Sequence, residues 1–309
     1  MQLRQLDDSE LESCLEFPGD GGVLGMTPAA LRAEFEAGRM RPEWTWVAVD
    51  QDSRILGRAL WWGRDASAPI ALDVLDVAPH LESPADLGGR LLLACGQGSP
   101  LPHTVRLPMG WRNRPECVDA LDWRVRACAM AGLTEQNERL QLRWSAERDT
   151  ASPRSMRSAC TMRAGSDKEF LELFAKVAEG SLDVTTRRAV AATSAEECAR
   201  DELDFYRSCP GDRDWWRIAL DATGTPVGFV IPSATPYARN VGYLGVLPEH
   251  RGRGLADEFL AHVTEFHRAA GATVITATTD AVNLPMADAF ARAGYRVVET
   301  RVDLEAPAG

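Results

Sequence analysis

The chain has 309 residues, of which 45% are hydrophobic and 26% charged, and this size and composition suit two soluble globular domains. It has no apolar run of membrane-spanning length and no secretory-type start, so we expect a cytoplasmic location. The net charge of −11 disfavours nucleic acid as a partner. The seven scattered cysteines contain no CxxC pair, which argues against a zinc site or a disulfide framework, and we expect no metal.

The first half of the chain predicts alternating strands and helices. Hydrophobic periodicity and helix end signals predict helices at Thr27–Ala37, Ala85–Cys95 and Pro115–Ala131, the last ending at Gly132. Apolar and alternating runs predict the strands LRQL, WTWVAV, ILGRALWW, ALDVLDV, TVRL and ERLQLRW.

A polar segment with no apolar period follows and predicts a linker at 149–157, between domains at 1–148 and 158–309. The second half then repeats the pattern of the first. Helices are predicted at Asp167–Ala178, about Arg187–Ser208, after RGRGL, and at Asn283–Ala293. Strands are predicted near Ser158–Arg163 and at Trp215–Asp221, Val227–Pro232, Val241–Val246, Thr273–Thr278 and Tyr295–Leu304.

Short stretches of the two halves also match each other in sequence. LDVAP at 75–79 is similar to LGVLP at 244–248, and AGLTEQNERLQL at 131–142 is similar to AGYRVVETRVDL at 293–304. The repeated order of elements together with these matches indicates a duplicated α/β unit.

The stretch VLPEHRGRGLADEF at 246–259 predicts a strand, a tight glycine turn and an amphipathic helix. In that geometry the free N–H groups of the first helical turn point outward and can hold an anion. The turn matches neither a P-loop, because no Gly-Lys-Ser/Thr follows, nor a Rossmann fingerprint, because the GxGxxG spacing is absent.

With its surroundings, the stretch resembles the acyl-CoA-binding signature of the GNAT superfamily of N-acetyltransferases. About thirty residues later, Asn283 to Tyr295 is similar to the family's second signature, a helix closed by Gly-Phe/Tyr. The resemblance implies two tandem GNAT-like α/β domains. Each would be a twisted, mixed but mostly antiparallel sheet with splayed central strands and flanking helices.

The resemblance also implies acetyl-CoA as cosubstrate and transfer of an acetyl group to a primary amine of a small molecule, by a monomer or homodimer. The net negative charge mildly favours a cationic acceptor. The residues implied to bind the cofactor are Val246, Leu247, Arg251, Gly252, Arg253, Gly254, Leu255, Ala256, Asn283, Met286 and Phe290.

Catalytic residues are harder to assign. The family's substrate pockets point to the loop EGSLD and the central strands, and we take Glu179, Asp183 and Tyr243 as candidates. Phe290 stands where the family often has a tyrosine that protonates the leaving sulfur, and phenylalanine cannot do so. Asp280 is expected to cap the helix that begins near Asn283.

Two alternatives therefore stay open: a transferase that uses another acyl donor, and a non-catalytic acyl-CoA-binding sensor or interaction module. In the first half, Glu82 and Asp86 follow the strand where the glycine turn would lie, and these acidic residues would repel a diphosphate. We expect no normal cofactor binding there.

Overall fold

The computed structural model describes residues 1–79, 81–94, 100–148 and 160–307. They form two compact units: unit 1 contains Met1–Glu138 and Glu299–Pro307, and unit 2 contains Arg139–Val298. The predicted linker at 149–157 lies outside the described residues. Within the described ranges, no helix combines the length and the apolar character needed to cross a bilayer.

Unit 1 is an open mixed sheet with helices. In chain order its elements are β1 Gln2–Gln5, α1 Leu11–Leu15, α2 Pro28–Glu36, β2 Thr45–Val49, β3 Ile55–Trp62, β4 Ala71–Val77, α3 Pro84–Ala94, β5 His103–Leu107 and α4 Pro115–Met130. Strands β1 to β4 pair antiparallel in sequence order, and β4 pairs with β5 in parallel where Leu72 lies opposite His103. The chain's last strand, β12 (Arg296–Glu305), pairs antiparallel with β5 from Thr300 to Leu304.

Unit 2 repeats this plan. Its sheet begins with β6 (Glu135–Ser145, of which Arg139 onward belongs to unit 2), and its further elements are β7 Thr161–Arg163, α5 Asp167–Ala178, α6 Val184–Ala192, α7 Ala195–Ser208, β8 Arg217–Leu220, β9 Pro226–Ala234, β10 Arg239–Val246, α8 Leu255–Ala269, β11 Val274–Asp280 and α9 Leu284–Arg292. The strand order is β6-β11-β10-β9-β8-β7. The β10–β11 pair is parallel, whereas the other pairs of this sheet are antiparallel. The predicted fold class, a mixed but mostly antiparallel α/β sheet flanked by helices, is confirmed, and the sheet is open.

The sheet of unit 2 is covered on both faces because its central strand β9 is apolar on both faces. Along β9, Phe229 and Ile231 lie in the cluster formed with α5 and α7, and Val230 lies in the cluster formed with α8 and α9. Alternate residues of a strand point to opposite faces, which produces this division. In the strand order, β10 and β11 are neighbouring interior strands of this sheet.

Two predicted boundaries in unit 2 are wrong. The helix predicted at about Arg187–Ser208 is two helices, because the Ser194 side chain accepts a hydrogen bond from the Glu197 N–H and starts a new helix there. The strand predicted from Trp215 begins at Arg217, since Arg213–Trp215 forms a 3-10 turn capped by Asp212.

A buried histidine makes the stability of unit 1 depend on pH. His103 is 2% exposed, its Nδ1 lies 2.9 Å from the Leu72 carbonyl oxygen, and its Nε2 is buried without a hydrogen-bond partner in the described structure. Burial lowers the pKa of His103 to about 4. The unfolded chain therefore binds a proton at this histidine below a pH of about 6.5, whereas the folded state binds it only below a pH of about 4.

We expect unit 1 to lose about 2 kcal/mol of unfolding free energy between pH 8 and pH 5 through His103, the loss beginning below the unfolded pKa. Urea unfolding with hydrogen exchange on β5 peptides measures this at each pH. His103→Asn keeps a donor near Leu72 and does not titrate, so its pH dependence should be smaller by that amount. An equal slope in both proteins would contradict the assignment.

Candidate active site

The turn that precedes α8 has the backbone geometry of an anion site. Gly252 and Gly254 have φ angles of 75° and 80°, which favour glycine, and a Cβ added at either would meet nothing within 4 Å. Gly254 is the N-cap of α8 and offers no side-chain cap. The first N–H groups of α8, at Leu255 and Ala256, thus begin a 15-residue helix at an open surface. The Arg253 side chain is exposed and donates to the Glu249 carbonyl oxygen.

The side chain of Arg251 joins this turn to the end of α5. Its Nη2 donates to the Val177 carbonyl oxygen at 2.9 Å and its Nη1 to the Gly180 carbonyl oxygen at 2.8 Å. Its Nη1 also reaches the Glu179 carbonyl oxygen at 3.3 Å, and its Nε reaches that of Val246 at 3.2 Å. A guanidinium at the carboxyl end of a helix is favourable. Arg251 therefore fixes the turn against the loop after α5.

Strands β10 and β11 separate beside the turn. They pair in parallel where Arg239 and Asn240 lie opposite Ile275 and Thr276, while Tyr243–Val246 pairs with β9. A gap therefore opens between these two interior strands beyond Asn240 and Thr276. It corresponds to the splayed central strands that the sequence resemblance implies.

Backbone groups of β10 face this gap. The Leu247 N–H donates to the Val227 carbonyl oxygen on the β9 side. Because successive residues of a strand direct their N–H and C=O groups to opposite sides, those of Leu244 and Val246 point away from β9. They point to the side where β11 has separated. Leu247 itself is buried in the core with α5 and α7.

A β-bulge at Asn240–Tyr243 starts the separation of the two strands. The Asn240 side chain accepts from the Gly242 N–H at 2.7 Å and donates to Thr276 Oγ1 of β11 at 2.9 Å. The backbone oxygen of Asn240 lies 2.9 Å from Nε2 of the buried His267. Gly242 has a φ of 71°, and an added Cβ would lie 2.1 Å from the Ile231 carbonyl oxygen. A bulge bends its strand, and these contacts hold the bend.

The start of α9 lies at the end of β11. Asn283 is the N-cap of α9, and its Oδ1 accepts from the Met286 N–H at 3.4 Å. The expectation that Asp280 caps this helix is wrong, because its Oδ2 instead accepts from the Val184 N–H at 2.6 Å. Met286 is half-buried, whereas Phe290 is 3% exposed and packs edge-on against Tyr295.

Of the predicted catalytic residues, Asp183 lies close enough to Tyr243 for its negative charge to raise the pKa of the tyrosine. Glu179 is an exposed residue at the end of α5. Asp183 caps α6, and its Oδ1 accepts from the Thr186 N–H at 2.8 Å. Tyr243 stacks on Phe174 with ring centroids 5.5 Å apart. Burial, followed by nearby carboxylates, raises the pKa of Tyr243 well above its usual range.

Glu202 of α7 lies near Asp183 and Tyr243 and is not among the residues predicted from the sequence. Burial, followed by the negative charge of Asp183, raises the pKa of Glu202 to about 7. Glu202 in turn is a cause of the raised pKa values of Tyr206 and Tyr243. The available signal was helical spacing, because Glu202 is a carboxylate on the stripe of α7 that carries buried Cys198 and half-buried Tyr206.

This pKa predicts that removing the charge of Glu202 stabilises the fold. In the unfolded chain the carboxyl group ionises at its usual pKa, whereas in the folded chain it ionises only above a pH of about 7. As pH rises, ionisation therefore favours the unfolded state and lowers the free energy of unfolding. We expect the free energy of unfolding of Glu202→Gln to exceed that of the native chain by about 2–3 kcal/mol at pH 8. At pH 5 the two free energies of unfolding should differ by less than about 1 kcal/mol. Urea unfolding at both pH values measures this, and a destabilised variant at pH 8 would contradict it.

In unit 1, a side chain fills the space that corresponds to the strand gap of unit 2. By the match of LDVAP with LGVLP, Leu75 of β4 corresponds to Leu244 of β10. The Leu75 carbonyl oxygen accepts from Nε of Arg124, a side chain buried to 1% exposure. Arg124 also donates to Asp20 at 2.7 Å and to Asp76 at 3.2 Å. A satisfied ion network thus occupies the space beside the β4 backbone.

Among the described residues, no group of three or more His, Cys, Asp or Glu side chains is arranged to hold a metal ion. Three features of unit 2 can contact a ligand. They are the glycine turn, the gap between β10 and β11, and the polar and aromatic side chains of Asp183, Glu202, Tyr206 and Tyr243. We call these four residues the carboxylate–tyrosine cluster.

Residues 185–295 match the sequence profile of the Acetyltransferase (GNAT) family. This segment contains the glycine turn, both strands of the gap, α9 and three members of the carboxylate–tyrosine cluster. A search of curated proteins finds no match to this chain.

Solved structures extend the similarity to the whole chain. A GCN5-related N-acetyltransferase from Sphaerobacter thermophilus is 16% identical with a TM-score of 0.57, and the match covers 98% of this chain and 94% of that one. A tandem GNAT protein from the clavulanic acid biosynthesis pathway is 17% identical with a TM-score of 0.51, covering 100% and 99%. Likeness at this identity shows the fold, and the profile match assigns residues 185–295 to the family. Residues 185–295 therefore match the GNAT acetyltransferase family, and the chain as a whole has a fold similar to that of tandem GNAT proteins.

Proposed function

We propose that unit 2 transfers an acetyl group from acetyl-CoA to a primary amine of a small molecule. The observation that supports this most is that an anion site and a gap between two strands lie next to each other in unit 2. The glycine turn before α8 offers backbone N–H groups to an anion. The strand gap beside it offers the backbone groups of Leu244 and the N–H group of Val246 to an extended chain.

These features fit the two parts of the cofactor. Coenzyme A carries a diphosphate, which the N-terminus of α8 would hold, with Gly252 and Gly254 allowing close approach. The pantetheine arm would lie along β10. Asn283 and Met286, at the start of α9, would border the arm on the other side. Arg251 would keep the turn in place through its bonds to the end of α5.

We assign the cofactor to unit 2 alone. In unit 1 the side chain of Arg124 bonds to the Leu75 carbonyl oxygen, which corresponds to that of Leu244. Asp20 and Asp76 neutralise this arginine. Displacing this buried arginine would remove it from the half-buried Asp20 and would leave the buried Asp76 with Arg58 as its remaining arginine partner, which is unfavourable.

Turnover tests the proposal. Purified protein with acetyl-CoA and a panel of primary amines should release free thiol, and the acetylated amine should appear by mass spectrometry. A panel of acyl-CoA thioesters of increasing length separates acetyl transfer from transfer of a longer acyl group. Binding of acetyl-CoA without turnover of any amine would support the alternative, a non-catalytic acyl-CoA-binding sensor.

Phe290 is the observation that favours that alternative, because it cannot protonate a leaving thiolate. A thiol with a pKa of about 8.5 is a fair leaving group and needs only modest help. We therefore expect Phe290→Tyr to change kcat by less than about threefold, well below the ~100-fold or more of a positioned acid. Steady-state kinetics with the best amine measure this. A tenfold rise would show that proton delivery to sulfur limits the native protein.

A further inference from the structure

We propose that Glu202 is the base that takes the proton from the acceptor's ammonium group, and that Tyr206 and Tyr243 form the surface against which this group binds. The inference rests on the proposed function, because it concerns the acceptor side of the same site. It adds a catalytic residue and a charge state for the acceptor.

Helix geometry directs Glu202 toward β10. Cys198, Glu202 and Tyr206 are spaced four residues apart along α7 and share one face. Cys198 is buried, and the Tyr206 ring stacks on that of Tyr243 with centroids 5.6 Å apart and planes 8° from parallel. The Tyr206 hydroxyl lies 3.5 Å from the carbonyl oxygen of Gly242 in the bulge. This face of α7 therefore lies over the start of the strand gap.

The carboxylate–tyrosine cluster also borders the gap from its far side. The parallel register places Asn240 opposite Thr276, so Leu244 of β10 and Asp280 of β11 are each four residues farther along. Asp280 accepts from the N–H of Val184, the residue after Asp183. The cluster thus borders the part of the gap that follows the bulge, where the backbone of β10 faces the gap.

The side chains of this cluster are enclosed yet reachable. Glu202, Tyr206 and Tyr243 keep part of their surface open to solvent, although burial is the largest cause of their raised pKa values. Each of the three side chains is therefore partly enclosed and partly accessible. A ligand can therefore contact them without rearrangement of the core.

The charges around Glu202 favour a cation. Asp183 faces it from α6 and Asp201 lies beside it on α7, while Arg139 of β6 opposes them. Arg139 pairs with the buried Asp280 at 3.3 Å, which offsets its charge. Tyrosine ring faces attract an ammonium group further. A cation bound beside Glu202 makes the ionised form of its carboxyl group more stable.

The proton balance of the reaction is as follows. The carboxylate of Glu202 accepts one proton from R–NH₃⁺, and the freed nitrogen lone pair forms the C–N bond to the thioester carbonyl carbon. The C–S bond breaks, and the sulfur carries away its electron pair. The second N–H proton passes to the thiolate to give the free thiol, and Glu202 returns its proton to solvent. The sum is amide, thiol and one proton.

Calorimetry without acetyl-CoA tests the binding part. Benzylamine, 2-phenylethylamine, putrescine and spermidine are titrated into the full chain at pH 6 and pH 8, each in two buffers of different ionisation enthalpy. We expect at least one amine to bind about tenfold more tightly at pH 8, with proton release near pH 7. Glu202→Gln should abolish both the proton release and the pH dependence. Glu196→Gln, an exposed position on the same helix, should retain both.

The pH profile of kcat/KM tests the catalytic part. With acetyl-CoA and the amine that binds, kcat/KM should rise tenfold per pH unit to about pH 7 and then level off. Glu202→Gln should lose about 100-fold or more near pH 7, and its kcat/KM should rise with pH up to the pKa of the amine, because only the neutral amine then reacts. A native profile that continues to rise to pH 9 would show that the neutral amine is the reacting species and would overturn the inference.

Failure of this inference and failure of the proposed function give different results. If acetyl-CoA binds but no amine in the panel does, or Glu202→Gln keeps the native profile, the assignment of Glu202 is wrong and the cofactor site stands. If an amine binds with proton release but acetyl-CoA does not, the acceptor site stands and the proposed transfer is wrong.

Discussion

Gly254→Glu should lower the affinity for acetyl-CoA by at least about 100-fold, equivalent to about 3 kcal/mol. The new carboxylate would stand at the N-terminus of α8, in the open space where we place the diphosphate. Two like charges about 4 Å apart repel by about 4 kcal/mol near a protein surface. Isothermal titration of acetyl-CoA into native and variant protein measures the change.

The fold of this variant should survive, because a negative charge at a helix N-terminus is favourable in the free protein. Gly224→Glu is a matched control. Gly224 has a φ of 83°, and an added Cβ there would meet nothing within 4 Å, so the backbone strain is the same. It lies in the turn between β8 and β9. If both variants bind acetyl-CoA as the native protein does, the diphosphate does not bind at this turn.

Gly242→Ala should have the largest effect on stability, a loss of about 3 kcal/mol or more from unit 2. Its Cβ would lie 2.1 Å from the Ile231 carbonyl oxygen and 2.9 Å from Ser233 Cβ, at a φ of 71°. Strain at such an angle and overpacking each cost about 1–3 kcal/mol. Hydrogen exchange of peptides from β9 and β10 reports the stability of this unit separately from unit 1.

Gly224→Ala separates the two causes, because it carries the strain of a positive φ without the steric clash. We expect it to lose only about 1–2 kcal/mol. Acetyl-CoA binding should weaken in Gly242→Ala, since the bulge sets where β10 leaves β11, and should be unchanged in Gly224→Ala. Equal losses of stability in the two variants would show that the bulge does not depend on close packing at Gly242.

The elements with strong local signals were predictable from the sequence. The helix after the glycine turn has a clear apolar period and glycine before it, and the helix that ends before Gly294 has the expected C-terminal glycine. The turn itself is recognisable because Gly252 and Gly254 are needed for its backbone angles. For these parts, local sequence and fold agree.

Features that depend on distant parts of the chain were not predictable in the same way. The carboxylate of Glu202 acquires its raised pKa from the packing of α7 and from Asp183 on α6. The guanidinium of Arg251 bonds to carbonyl oxygens about seventy residues away in sequence. Asp280 bonds to α6 instead of capping α9. In each case tertiary contacts decide the role of a side chain whose type alone permits several.

The pairing partners of the strands could not be predicted from the sequence either. The strand ERLQLRW, within β6, pairs with β11, and the C-terminal part of β12 pairs with β5. Both strands have the alternating pattern that any antiparallel partner can satisfy. The pattern therefore predicts that each is a strand but not which sheet receives it.

Calorimetric titration of acetyl-CoA into the native full chain tests the central claim most directly. We predict saturable binding of one acetyl-CoA per chain, since the turn and the strand gap of unit 2 can hold it and Arg124 occupies the corresponding space in unit 1. Absence of heat at any accessible concentration, or a stoichiometry of two, would contradict the account.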